Sequence, residues 1–124
     1  MKKLLPLGPY TAGPNVVHPK SWGEEIWVEN CPEYCGKVLR IHRGKHTSMH
    51  FHIKKLETMY VVSGTLRIDL IDPETTERYA ITLDPGQWVQ IPRGQVHSLN
   101  GETDVELMEF STTHEDSDSY RVSR

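Results

Sequence analysis

The sequence is short of cysteine, of clustered positive charge and of long apolar runs, and each shortage removes a class of protein. Cys31 and Cys35, in "NCPEYCG", are the two cysteines, and a zinc ribbon needs a second pair. They read as reduced thiols in a loop. The formal charge is −3 with no basic run, so the clustered cationic face of a nucleic-acid binder is not expected. No stretch approaches the length of a membrane span. The opening "MKKLLPLGPY" imitates the basic start of a signal peptide, but Pro6, Gly8 and Pro9 interrupt it before an apolar region forms, so the expected location is the cytoplasm. Internal repeats, low-complexity tracts and a sustained helical stripe are also missing.

What is present is the composition of a folded domain: 36% hydrophobic and 25% charged residues over a length of 124, enough for one modest core. Residues 1–19, rich in Pro and Gly, read as an irregular N-terminal arm, and 20–124 as a single domain. Beyond the arm come short runs of β-branched and aromatic residues: "EEIWVEN", "KVLRIHR", "TSMHFHI", "TMYVVSG", "TLRIDLI", "RYAITL", "QWVQIP", "VHSLN" and "DVELMEFST". Turn formers such as "SG", "DPET", "DPG" and "PRG" separate them. This pattern predicts an all-β sandwich or barrel of the jelly-roll kind, with its edges protected by closure.

The stretch "GKHTSMHFHIKKLETMYVVSG" concentrates metal-competent side chains. On a strand, His50 and His52 project to one face, whereas on a helix they would diverge. Four residues separate His52 from Glu57, room for a tight turn that lays the next strand beside the first and returns Glu57 to the same interior. In "GQWVQIPRGQVHSLN", His97 follows a Pro92–Gly94 turn and is expected to enter from the facing sheet. Imidazole with carboxylate suits a divalent transition metal ion: zinc, manganese, iron, nickel or cobalt. The remaining histidines, His18, His42, His46 and His114, read as ordinary surface residues.

These two stretches resemble the two motifs of cupins, G-x5-H-x-H-x4-E-x6-G at Gly44, His50, His52, Glu57 and Gly64, and G-x5-P-x-G-x2-H at Gly86, Pro92, Gly94 and His97. Asn100 stands one residue earlier than the usual trailing asparagine. The resemblance implies a double-stranded β-helix, or jelly-roll, cupin barrel holding a metal on His50, His52, Glu57 and His97. It also implies a homodimer.

The segments from about Lys20 to Arg121 are further similar to the cupin domain of type II mannose-6-phosphate isomerases, through Trp22–Gly23, Ser48, Glu109, and Asp118 with Arg121. That likeness implies a sugar or sugar-phosphate substrate, with Glu109 and Arg121 as catalytic candidates. Lys20, Lys54, Arg93 and Arg121 are candidates for neutralising a phosphate. In that family glutamine commonly stands at the place of His50, and histidines at those of Ile53 and Thr58, so the ligand set here is the generic cupin one. An iron-dependent dioxygenase and a non-catalytic sugar or metabolite binder are the alternatives.

Overall fold

The computed structural model describes residues 13–123 and is built almost entirely of strands. In chain order these are β1 (Val16–Lys20), β2 (Gly23–Asn30), β3 (Cys35–Ile41), β4 (Met49–Phe51), β5 (Glu57–Ser63), β6 (Leu66–Ile71), β7 (Arg78–Leu83), β8 (Trp88–Ile91), β9 (His97–Gly101), β10 (Val105–Ser111) and β11 (Tyr120–Ser123). Among the described residues a single 3-10 turn, Asp116–Asp118, precedes the last strand. All pairings are antiparallel, in a six-stranded sheet ordered β1-β2-β3-β10-β5-β8 and a five-stranded sheet ordered β11-β4-β9-β6-β7. The fold is thus the expected all-β jelly roll. Among the described residues no strand pairing joins the two sheets, so it is a sandwich and not a hydrogen-bonded closed barrel. Its edges are protected differently, by four-residue strands at β8 and β11 and by Pro19, which has no N–H to offer, in β1.

The strand Val16–Lys20 also corrects the reading of 1–19 as wholly irregular. Two β-branched valines pair with Ile26 and Trp27 of β2, an edge position that tolerates Pro19. Residues 1–12 of the arm lie outside the described residues.

The inner faces carry both the core and the site. Along β3 the inward residues run Cys35, Lys37, Leu39, Ile41; along β10 they run Ser111, Glu109, Leu107, Val105; along β5, Glu57, Met59, Val61. Register aligns these series, so one end of the sandwich is apolar and the other charged. At the apolar end Leu39, Ile41, Val61 and Leu107 pack against Leu66, Ile68 and Leu99 of the opposite sheet. Each such side chain contributes about 1.5–3 kcal/mol on burial, which leaves the charged end stability to spend on a polar cavity.

The β5–β6 turn needs its glycine: Gly64 has φ 81°, and a Cβ there would lie 2.0 Å from the backbone oxygen of Asp104. Trp22 is buried in the core cluster and also lines the cavity between the sheets.

Both outer faces carry ion pairs, on the six-stranded sheet Arg40 with Glu24 (3.0 Å) and Glu106 (3.6 Å), and they differ in an apolar row. On the five-stranded sheet Arg67, Asp69, Asn100 and Glu102 form a hydrogen-bonded polar network. On the six-stranded sheet one residue from each strand forms a cross-strand row, Val17, Ile26, Val38, Met108, Tyr60 and Trp88, and every member is apolar or aromatic. Trp88 at its end is 64% exposed.

Candidate metal centre

Strand β4 places His50 opposite His97 of β9 in register, and His52 follows β4 directly. The nitrogens these three histidines can offer all lie within 4.8 Å of one another. Their ring centroids are 4.5 Å (His50–His97), 5.0 Å (His50–His52) and 5.9 Å (His52–His97) apart. Glu57 opens β5, with Oε1 2.9 Å from His97 Nε2 and 3.8 Å from His52 Nε2.

Two expectations about this assembly are corrected. His97 comes from the same sheet as His50, as its cross-strand neighbour, and it is Glu57 that arrives from the facing sheet. Nor do β4 and β5 form a hairpin: residues 53–56 cross from one sheet to the other. The physical reason lies in the backbone N–H groups of Ile53, Lys54 and Lys55, which no strand partner receives. All three donate to the carboxylate of Asp118 at 3.0–3.1 Å.

The histidine tautomers follow from the backbone. Nδ1 of His50 bonds to the carbonyl of Ser48 (2.7 Å), Nδ1 of His52 to that of Asp118 (3.0 Å), and Nδ1 of His97 to that of Gln95 (2.8 Å). A carbonyl only accepts, so each Nδ1 carries a proton, and each ring in its neutral form turns the Nε2 lone pair toward the shared space. This is the backbone-held orientation that metal-bound histidines use. The buried atoms Glu57 Oε1 and His97 Nε2 lie 2.9 Å apart, yet neither makes a hydrogen bond of acceptable geometry among the described residues. Burying such groups without a partner costs about 1–3 kcal/mol each. Two orphaned ligand-type atoms beside two further imidazoles fit a bound cation.

Without a metal, the charges compensate one another. Burial pushes the Glu57 carboxyl up, but His97, Lys55 and His52 outweigh it and hold it well below the usual carboxylate range. Burial lowers His97, and the adjacent Glu57 reverses that, so its pKa lies above the ordinary value. Burial, reinforced by His97, brings His50 down to about 4.

Sequence reading missed Lys55. It is 4% exposed, and its ammonium sits 3.4 Å from Glu57 Oε2, 3.2 Å from Glu109 Oε2 and 3.2 Å from His114 Nδ1. Burial lowers the Lys55 pKa, but Glu109 and Glu57 more than offset it. A signal was available in retrospect, because a lysine two residues before an inward glutamate shares its alternation. Glu109 itself is inward and buried on β10, opposite Lys37 of β3 and Met59 of β5. Desolvation and the charge of Glu57 raise its pKa despite the opposing lysines.

His50, His52, His97, Glu57, Lys55 and Glu109 all line one cavity of about 640 Å³. Arg121 reaches its rim from β11, where it pairs in register with His50, and Lys20 reaches it from β1. Lys54 and Arg93 do not line it: Lys54 pairs with Glu115 (3.2 Å), and Arg93 Nε donates to the Lys54 carbonyl (2.8 Å). These contacts hold both side chains on the loop surface.

Two surface assignments also change. His114 is largely buried, between Lys55 and Asp116, because the segment after β10 folds back over the cavity. Cys35 is no loop residue but the buried start of β3, with a thiol pushed up by burial.

Two packed antiparallel sheets enclose a histidine group able to hold a metal ion, the arrangement of a jelly roll with an interior site, and residues 37–111 match the model of the Cupin domain. The chain belongs to the cupin family. No functionally curated protein matches it in sequence. Among solved structures it is similar to the capsular polysaccharide assembling protein CapF of Staphylococcus aureus, at 21% identity and TM-score 0.80, over 91% of this chain and 33% of that one. A structure of CapF with the inhibitor 3-isopropenyl-tropolone aligns with TM-score 0.79 at 20% identity, over 91% of this chain and 35% of that one. Oxalate decarboxylase of Bacillus subtilis, a protein with Mn(II) centres, aligns with TM-score 0.76 at 16% identity, over 87% of this chain and 30% of that one. The chain therefore spans about a third of the length of these proteins, and at such identities the likeness is one of fold.

Proposed function

We propose that this cupin is a metal-dependent isomerase of a sugar or sugar phosphate. The carrying observation is a buried carboxylate of raised pKa, Glu109, facing the same cavity as the three histidines. In this reading His50, His52, His97 and Glu57 hold one divalent transition metal, which when bound supplies a Lewis acid for carbonyl and hydroxyl oxygens. Glu109 takes the carbon-bound proton beside the carbonyl and returns it to the neighbouring carbon. Lys55 holds the base in place and balances its charge. Arg121, at the rim and without an acidic partner among the described residues, receives the anionic end of the substrate.

The test is carbon-bound hydrogen exchange in deuterated water with mannose 6-phosphate and related aldose phosphates, followed by NMR. Incorporation at the carbon next to the carbonyl is expected, falling about 10²-fold or more in Glu109→Gln. Absence of exchange across the panel sinks the isomerase, and oxygen uptake with an organic substrate would establish a dioxygenase instead. The non-catalytic binder is favoured by one feature, the ion pair that already occupies Glu109. It gives saturable binding without exchange.

We further infer a homodimer, and the apolar row on the six-stranded sheet supports it. An unpaired antiparallel sheet ordinarily shows water a polar face, as the five-stranded sheet does here. Sedimentation should give twice the chain mass, and Tyr60→Lys/Trp88→Lys should give the chain mass. A wild-type monomer at micromolar concentration would refute the inference.

A further inference from the structure

The metal centre proposed above draws its ligands from two sheets, and the segment that unites them is remote in sequence. Asp118 lies 63–66 residues beyond the loop it touches and is 4% exposed; its N–H donates to the Glu115 carbonyl, while its carboxylate and its own carbonyl both serve that loop. Its carboxylate accepts the N–H groups of Ile53 (3.0 Å), Lys54 (3.0 and 3.1 Å) and Lys55 (3.0 Å). Its backbone carbonyl accepts from Nδ1 of His52 at 3.0 Å. Three residues later, Arg121 pairs with His50 across β11 and β4.

Resting on the metal-binding reading, we propose that Asp118 is the positioning residue of this centre: it fixes the His52–Glu57 crossover and, through it, the orientation of two ligands in opposite sheets. Three consecutive N–H groups converging on one point form an anion-binding concavity, and an internal carboxylate fills it. A negative charge is the tightest occupant of such a concavity, because charge-assisted bonds are about twice as strong as neutral ones. An amide cannot replace it. Asparagine at 118 has one oxygen for three donors, and its NH2 group would face an N–H. The crossover backbone would then relax, moving the His52 ring and the start of β5 together. The same displacement takes Lys55 away from Glu109, since Lys55 N is one of the three donors. One remote carboxylate thus sets the metal ligands and the proposed base at once.

The experiment is Co(II) titration of the metal-free protein and of Asp118→Asn, reading affinity by competition and ligand geometry by the d–d absorption spectrum. Gly64→Ala, which strains a turn at the other end of β5, serves as the destabilised control. In Asp118→Asn the Co(II) affinity should fall about 10- to 100-fold with an altered spectrum, the range typical of supports behind metal ligands. Gly64→Ala should lose thermal stability while keeping the wild-type affinity and spectrum. If Asp118→Asn does not fold, Asp118→Glu, which keeps the charge, is measured in the same way and should retain part of the affinity.

Wild-type affinity and spectrum in a folded Asp118 variant would overturn the assignment and leave a brace of stability alone. Equal losses in Asp118→Asn and Gly64→Ala would overturn it too. Failure of the wild-type protein itself to bind Co(II) would instead overturn the metal reading beneath it.

Discussion

Purified protein reconstituted with a divalent transition metal should bind close to one equivalent, and His50→Ala/His52→Ala should bind none. Elemental analysis of the two, prepared side by side, makes the measurement. Free metal at about a thousandfold over Kd stabilises the folded state by about 4 kcal/mol, so the wild-type melting temperature should rise on the order of 10 °C. The double variant should show no rise. Uptake should also release protons. His97 is held above its ordinary pKa by Glu57, so at pH 6 it is protonated in the metal-free protein and must give up that proton to coordinate. His50, whose pKa is about 4, is already neutral there and releases nothing. Calorimetry in buffers of different ionisation enthalpy should therefore give about one proton per metal at pH 6, declining as pH rises past the His97 pKa. Wild-type protein that takes up none of zinc, manganese, iron(II), nickel or cobalt would end the metalloprotein reading.

Lys55→Met should be among the most damaging single substitutions available outside the ligands. The side chains are of similar length, but Glu57 and Glu109 would be left facing one another in a buried site without their shared ammonium. Removing one partner of a buried charge pair costs about 3–5 kcal/mol, read here as a shift of the urea midpoint in metal-free protein. Adding Glu109→Gln should recover a large part of that loss, because a single buried carboxylate then remains and His97 still faces it.

The sign of the pH dependence follows from Glu109. Its folded-state pKa is raised, and losing Lys55 raises it further. A carboxylate with a raised folded pKa favours the folded state below its unfolded value, near 4.3, and that advantage is lost as pH rises through the folded value. The deficit of Lys55→Met relative to wild type should therefore be smaller at pH 5 than at pH 8. A deficit independent of pH and of Glu109→Gln would show that packing, not charge, is what Lys55 supplies.

Much of this molecule was legible before any coordinates. Nine strand segments were readable from short β-branched runs between turn formers, since side-chain alternation and turn chemistry are local properties. β1 and β11 escaped because Pro19 and the polar "DSDSYRVS" disguise edge strands, which need only one hydrogen-bonded neighbour. His50, His52, Glu57 and His97 were named as ligand candidates from spacing and resemblance, and the fold brings them together.

Spacing could not say which sheet each residue belongs to. A four-residue gap permits a hairpin as readily as a crossover, and the choice was made by Asp118, more than sixty residues away. Burial was equally hidden: "ELMEFS" alternates whichever face is inside, so Glu109 became an interior carboxylate only when β10 was sandwiched between β3 and β5. Lys55, a solvated charge by any local measure, became the partner of that carboxylate through the same packing, and His114 became a partner of Lys55. Identity of strands and candidate ligands is written in contacts between near neighbours along the chain. Their charge states and mutual orientation arise from desolvation and long-range hydrogen bonds, which exist only once the sheets have closed over one another.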